Sequence, residues 1–146
     1  MTSKRLNYYV AAPQAMKAMM GMDKAASESV LPPSLRELVR IRASQLNGCA
    51  YCIDRHTNDA SRQGETLRRL VALSAWKETS FFSEQERAAL LWTETLTLVA
   101  TTHAPDDIYA EVAAAFNDQE LAELTFVIAS INAWNRFGVG FAMQPE

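Results

Sequence analysis

The chain has 146 residues, of which 49% are hydrophobic and 21% are charged. This length and composition are typical of one soluble globular domain, spanning residues 1–146 and built around a single hydrophobic core. Acidic residues outnumber basic ones by 17 to 14, the formal net charge is -3, and no dense run of Lys or Arg occurs in the sequence. Nucleic-acid binding therefore has no electrostatic support.

The sequence also predicts a cytoplasmic protein that does not bind membranes. Pro13 and Gln14 interrupt the apolar run of the N-terminal segment before it reaches the length of a signal peptide. No other apolar run is as long as a membrane span. In the reducing cytosol, Cys49 and Cys52 are expected to serve redox chemistry or metal binding, because they would close too short a loop to stabilise a fold by chain entropy.

Apolar residues recur at helical spacing along nearly the whole chain, and no stretch shows the alternation of a β-strand, so the predicted fold class is all-α. A first helix is predicted over Pro13–Ser27. A second helix follows two consecutive prolines, with Ser34 as its N-cap. Asn47 and Gly48 are expected to end this second helix.

The middle of the chain predicts three further helical segments. One is expected to begin near Cys49 and to end at Gly64, and another follows after a short break. Ser83 and Glu86 have the spacing of a capping box, which favours the start of a helix at this point. The apolar face behind that box predicts that the helix continues to about Thr101.

Two more helices complete the predicted bundle. The acidic pair after Pro105 favours a short helix through Phe116, and Asp118 is expected to cap the last helix. This last helix is apolar on more than one face, which requires a central position or contact with another subunit. We therefore predict a compact bundle of about seven helices, with the last helix contributing to a subunit interface.

The segment NGCAYCIDRH combines a CxxC pair with a histidine four residues after the second cysteine. A thiol reacts as its thiolate, so its ordinary pKa of about 8.5 must be lowered by the surroundings. Cys49 lies at an expected helix N-terminus, where the helix dipole favours an anion. Cys52 lies one turn from His56, whose imidazole can take the thiol proton. The residues alone leave both cysteines open as the nucleophile.

Glu37 can join this site if the chain reverses at Gly48. On one continuous helix, Glu37 would lie about 18 Å from Cys49. A reversal packs the helix of Glu37 beside the helix of His56, where a carboxylate can fix the imidazole tautomer and raise its basicity. The alternative is that Glu37 only completes a capping box with Ser34.

Metal binding and an inert cysteine pair are the alternatives to redox chemistry. Cys49, Cys52 and His56 have the spacing of zinc ligands, but structural zinc sites usually have four protein ligands, and the sequence has no second CxxC or HxxxH. The other histidine, His103, is expected in a loop or cap, and a c-type haem would require a histidine where Ile53 stands. Free cysteines also pack well in cores without any reactivity. We predict no metal and no bound cofactor.

The spacing from Glu37 through CAYC to His56 resembles the AhpD-like alkylhydroperoxidase core of the carboxymuconolactone decarboxylase family. Four segments are similar to small single-domain members, so that the resemblance covers roughly residues 6–141: LRELVRIRASQLNGCAYCIDRHTNDA, FSEQERAALLWTETLT, THAPDDIY and LTFVIASINAWNRFGVGF. The resemblance implies an all-helical AhpD-like fold. It also implies a homo-oligomer, commonly a trimer or a hexamer.

The resemblance further implies a thiol-dependent hydroperoxide reductase that serves antioxidant defence. Cys52 would attack the peroxide, His56 would take its proton with Glu37 behind it, and Cys49 would condense with the resulting sulfenic acid. An external dithiol protein of the lipoyl or thioredoxin type would then reduce the disulfide. Tyr51 stands where two-domain alkylhydroperoxidases carry a second relay histidine, so the relay of those enzymes is incomplete here.

Three other functions are weighed against this one. Family members that are true decarboxylases lack the cysteine pair, so lactone decarboxylation is not expected. A protein thiol–disulfide oxidoreductase that does not use peroxide is the first alternative. A zinc-binding structural module for oligomerisation is the second, with Cys49, Cys52 and His56 as ligands.

Overall fold

The computed structural model describes residues 5–146. These residues form nine α-helices and one 3₁₀ helix, with no β-strand among them, which confirms the all-α prediction. In chain order the elements are α1 (Tyr8–Ala11), α2 (Pro13–Ser27), α3 (Pro33–Asn47), α4 (Ala50–Arg62), α5 (Leu67–Ala72), the 3₁₀ helix (Leu73–Glu78), α6 (Glu84–Thr97), α7 (Val99–Thr102), α8 (Asp106–Ala113) and α9 (Asp118–Gly140). The predicted count of about seven leaves out α1, and it takes α5 with the 3₁₀ helix, and α6 with α7, as one helix each.

Helix α3 begins two residues earlier than a helix capped by Ser34 would, and its start is not capped by Ser34. The helix begins at Pro33, and Pro32 occupies the N-cap position without a side-chain hydrogen bond. Proline is favoured at the first helical position, since its missing N–H would have no partner there. The capping-box interpretation of Ser34 and Glu37 is therefore wrong, and the Glu37 carboxylate is free for other contacts.

Several other helix ends differ from the predicted ones. Helix α6 ends at Thr97 because the backbone of Leu98 leaves the helical region, with φ -100° and ψ 28°. Helix α8 ends before Phe116, at Ala113. Asp118 is not a cap: it is the first residue of α9, and the cap before it is formed by Asn117.

The two capping boxes that begin α6 and α9 have the same geometry. In the predicted box, the Ser83 hydroxyl accepts a hydrogen bond from the backbone N–H of Glu86, whose carboxylate accepts from the backbone N–H of Ser83. Asn117 and Glu120 repeat this exchange at the start of α9. Each box satisfies two N–H groups that have no partner within the helix.

The chain reverses between α3 and α4, as the sequence predicts. Gly48 has φ 67° in the left-handed region, and the next N–H, that of Cys49, donates to the Ser44 carbonyl over 3.0 Å. Cys49 is the N-cap of α4, and its Sγ accepts a hydrogen bond from the backbone N–H of Cys52 over 3.3 Å. Helix α4 then runs from Ala50 to Arg62, slightly shorter than predicted at both ends.

Helix α3 lies at the centre of the bundle and contacts α4, α6 and α9. Its side chains Leu38, Val39 and Ile41 are almost completely buried. Helix α9 is also partly central, which accounts for some of its apolar residues. The predicted subunit interface on α9 stays a prediction. Within residues 5–146, no helix combines the length and the apolar character needed to cross a membrane.

Candidate active site

The structure brings the four predicted site residues together where α3 packs on α4. Glu37 lies on α3, Cys49 caps α4, and Cys52 and His56 follow on α4. The two cysteines are joined by a disulfide, with a Cα–Cα distance of 5.3 Å. All four side chains are buried, and the cysteines are only 1% and 5% exposed. The arrangement is a buried disulfide with a buried acid–base pair one helical turn away.

Glu37 and His56 form the acid–base pair of this site. Glu37 Oε2 lies 2.8 Å from His56 Nδ1. An ionised carboxylate can only accept a hydrogen bond, so Nδ1 carries the proton and Nε2 is the basic nitrogen of the neutral imidazole. The reversal at Gly48 makes this contact possible between residues that are 19 positions apart.

The charge state of Glu37 follows from its neighbours. Burial raises the pKa of Glu37, but hydrogen bonds and charge interactions with His56 and Arg40 outweigh burial and bring this pKa below its ordinary value. Glu37 is therefore ionised at neutral pH, and its negative charge lies against the imidazole of His56.

Arg40 is a member of the site that the sequence did not indicate. Its Nη1 donates to Glu37 Oε1 over 2.8 Å, so both carboxylate oxygens have partners. Arg40 lies between two apolar residues in the segment RELVRIR, where a cation is ordinarily expected at the surface. Its guanidinium lies against Ser27 and Asp23 of α2, a contact that no local pattern predicts.

A small pocket of about 40 Å³ opens beside Cys52 and His56. Its volume has room for about three water molecules, and thus for a peroxide group. Aromatic side chains from three helices line it: Tyr8 and Tyr9 from α1, Tyr51 from α4 and Trp134 from α9. Burial raises the pKa of Tyr8, and the neighbouring Tyr9 and Tyr51 raise it further, so Tyr8 keeps its hydroxyl proton. Tyr51, which stands between the two cysteines in the sequence, is thus part of the pocket wall.

Gly138 is a second residue that sequence reasoning missed. A Cβ added at this position would lie 2.5 Å from Cys49 Sγ and 3.4 Å from Cys52 Sγ. Helix α9 can therefore approach the disulfide only because residue 138 has no side chain. The signal in the sequence was a glycine inside an apolar helix, which often marks a close approach.

The geometry also bears on metal binding. Cys49 and Cys52 are joined to each other, so in this structure they do not form the alternative zinc site with His56. Glu37, His56 and Asp59 offer ligand atoms within 4.8 Å of one another. Both oxygens of Glu37 already accept hydrogen bonds, so this group fits a proton relay better than a cation.

Comparison with known proteins identifies the family. The sequence profile described as the carboxymuconolactone decarboxylase family matches residues 13–95. The chain belongs to this family. It is also 43% identical over 137 residues to the uncharacterised protein YdfG of Bacillus subtilis. The aligned region covers 94% of this chain and 93% of YdfG.

Solved structures of the same fold agree with this assignment. A protein of unknown function from Agrobacterium tumefaciens, described as a candidate AhpD antioxidant defence protein, has a TM-score of 0.96 and 38% identity, with 99% of each chain covered. The debrominase Bmp8 in complex with 2,3,4-tribromopyrrole has a TM-score of 0.83 and 22% identity, covering 93% of this chain and 73% of Bmp8. The first likeness confirms the AhpD-like fold, and the second shows the fold alone.

Proposed function

We propose that the protein is a thiol-dependent hydroperoxide reductase in which Cys52 is the nucleophile and Cys49 the resolving cysteine. The observation that carries this proposal is the shared pocket of Cys52 and His56, with Glu37 hydrogen-bonded behind the imidazole. Cys49 is favoured as the resolving partner because it is the N-cap of α4 and, unlike Cys52, does not line the pocket with His56. Family membership and the AhpD-like fold support an oxidoreductase.

The reaction begins from the reduced pair. His56 takes the proton of Cys52, and the thiolate attacks the distal oxygen of the hydroperoxide. The O–O bond breaks, Cys52 becomes a sulfenic acid, and the leaving alkoxide receives the proton from His56 to give an alcohol. The Cys49 thiol then displaces water from the sulfenic acid and forms the disulfide.

The cycle closes when an external dithiol reduces Cys49–Cys52 and is itself oxidised to a disulfide. The protein needs no bound cofactor for these steps, because both electrons leave and enter through the two sulfurs. A lipoyl or thioredoxin-type protein is the proposed donor. The proposed assembly is a homo-oligomer in the cytoplasm, where such donors are kept reduced.

The decisive experiment follows peroxide loss and thiol content together. Reduced wild-type protein, mixed with one equivalent of cumene hydroperoxide, is expected to lose two thiols and release one equivalent of alcohol. Cys52→Ser is expected to consume no peroxide. Cys49→Ser is expected to consume one equivalent and to stop as a sulfenic acid that dimedone labels. Peroxide consumption by Cys52→Ser at the wild-type rate would overturn the assignment.

A peroxide-free thiol–disulfide oxidoreductase is the second candidate, favoured by the helix N-terminus at Cys49. Reduced protein offered equal amounts of cumene hydroperoxide and an oxidised dithiol protein distinguishes the two. Faster reaction with the protein disulfide would favour this second candidate.

A further inference from the structure

Arg40 is a buried cation for which the proposed relay of Glu37, His56 and Cys52 gives no role. It is only 6% exposed, although a charged side chain is almost never this deeply buried without partners. Arg40 Nη1 donates to Glu37 Oε1 over 2.8 Å, and Nη2 donates to Ser27 Oγ over 2.9 Å. Asp23 lies 4.0 Å from Nη2. The guanidinium thus connects the relay carboxylate to helix α2.

We propose that Arg40 is a positioning residue of the thiol cycle, which orients Glu37 toward His56 and supplies the positive charge that balances the buried cluster when Cys52 ionises. The inference rests on the proposed acid–base role of Glu37 and His56. It adds a residue that touches neither the peroxide nor the reacting sulfur.

The orienting part of this role follows from the geometry of the carboxylate. Arg40 holds Oε1, which leaves Oε2 directed at His56 Nδ1. The guanidinium is itself fixed by Ser27, so the carboxylate cannot rotate without losing a charged hydrogen bond. A carboxylate held in this way selects one imidazole tautomer, with Nε2 as the base.

The electrostatic part follows from counting charges. With Arg40 present, Glu37 and Arg40 cancel, and proton transfer from Cys52 to His56 adds one negative and one positive charge. Without Arg40, the buried carboxylate loses a charged hydrogen bond and its counter-charge, and it takes up a proton more readily. A protonated Glu37 no longer supplies the negative charge that stabilises the imidazolium of His56. Loss of Arg40 therefore raises the pKa of the Cys52 thiol.

Other titratable groups face this cluster from the helices around it. Asp23 of α2 partly offsets the Arg40 charge, and Arg36 of α3 adds a second positive charge near Arg40 and Glu37. The remaining groups that line the pocket or lie beside the pair are Tyr8 and Tyr9 of α1 and Tyr51, Arg55 and Asp59 of α4. None of these hydrogen-bonds to Glu37, so Arg40 is the direct partner of the carboxylate.

The test measures the ionisation of Cys52 without peroxide. In a Cys49→Ser background only one thiol reacts with iodoacetamide, and the pH midpoint of its alkylation rate reports the Cys52 pKa. Arg40→Met is expected to raise this midpoint by about one pH unit. The expected shift is at the low end of the range for a nearby charge, because Arg40 acts on Cys52 only through Glu37 and His56. Arg40→Lys is expected to give a smaller rise, since one ammonium cannot bridge Glu37 and Ser27 as the fork does.

A matched control separates positioning from general stability. Arg42 lies on the same helix and pairs with Glu94 over 2.9 Å, on the side facing α6. Arg42→Met is expected to lower the unfolding midpoint and leave the alkylation midpoint unchanged. An unchanged alkylation midpoint in folded Arg40→Met would overturn the proposal. If Arg40→Met does not fold, the midpoint of Arg40→Lys decides in the same way.

The experiment also distinguishes this inference from the proposed function. Alkylation reports on the thiol alone, so a wild-type protein that consumes no peroxide overturns the peroxidase proposal without altering the alkylation midpoints. A peroxidase whose Arg40 variants keep the wild-type midpoint overturns only the role of Arg40.

Discussion

Glu37 on α3 and His56 on α4 form a buried contact of 2.8 Å between a carboxylate oxygen and an imidazole nitrogen. Both side chains are less than 10% exposed, and the second oxygen of Glu37 is bound by Arg40. The Glu37 carboxylate therefore has two effects. It orients the imidazole, and its ionisation in the folded state affects the free energy of unfolding.

The first prediction concerns Glu37→Gln and acid stability. The folded-state pKa of Glu37 is below its unfolded value of 4.5, so its ionisation stabilises the fold above about pH 4.5. That contribution is lost as the pH falls through the folded-state pKa. At pH 7, Glu37→Gln is expected to reduce the free energy of unfolding by about 2 to 4 kcal/mol. Below pH 4 the difference between wild type and variant should shrink.

Urea denaturation at pH 7 and pH 3.5, at one protein concentration, measures this difference. Glu28→Gln is the control, because Glu28 forms an exposed pair with Lys24 and its loss should cost less than about 0.5 kcal/mol. A deficit in Glu37→Gln that stays constant between the two pH values would contradict a lowered pKa.

The parts of the fold that the sequence predicted depend on local signals. Helical periodicity predicts the long helices, and Gly48 predicts the reversal because its left-handed φ of 67° is readily adopted by glycine. The Glu37–His56 contact follows from that reversal, because two helices joined by a tight turn must pack side by side. The capping box at Ser83 could also be predicted from the local sequence, because its two partners are only three residues apart.

The parts that could not be predicted depend on distant segments. The local sequence predicts that Arg40 is a surface cation, and only the folded structure places its guanidinium against Ser27 of α2. Tyr8 and Trp134 come from opposite ends of the chain, and only the tertiary fold places them at the pocket of Cys52. Helix boundaries failed where competing signals were adjacent, as at Asn117 and Asp118, either of which can cap a helix.

The second prediction concerns Gly48 and the turn that presents Cys49. A side chain at φ 67° costs about 1 to 2 kcal/mol, and asparagine tolerates this region better than alanine. Gly48→Ala is therefore expected to lower the free energy of unfolding by that amount, and Gly48→Asn by less. Urea denaturation of both variants checks the order. An alanine variant as stable as wild type would show that the turn does not require a left-handed residue.

The third prediction concerns the contact between Gly138 and the disulfide. A Cβ on residue 138 would overlap Cys49 Sγ, so Gly138→Ala is expected to destabilise the protein by about 1 to 3 kcal/mol, as overpacking does. Gly21→Ala is the matched control, because Gly21 lies inside α2 and has open space where its Cβ would be. That substitution should stabilise the protein by about 0.5 to 1 kcal/mol. Effects of the same sign in the two variants would contradict the proposed contact.

The fourth prediction concerns Trp134 as a reporter of the redox state. Trp134 packs against the cluster that contains Cys49 and Cys52, and a disulfide in contact with an indole quenches its fluorescence. Reduction is therefore expected to increase the emission of the wild-type protein. Trp134→Phe should lose most of this increase, whereas Trp76→Phe should keep it, because Trp76 lies in a different core cluster. Steady-state emission before and after reduction measures the change, and an equal increase in both variants would place the quenched indole elsewhere.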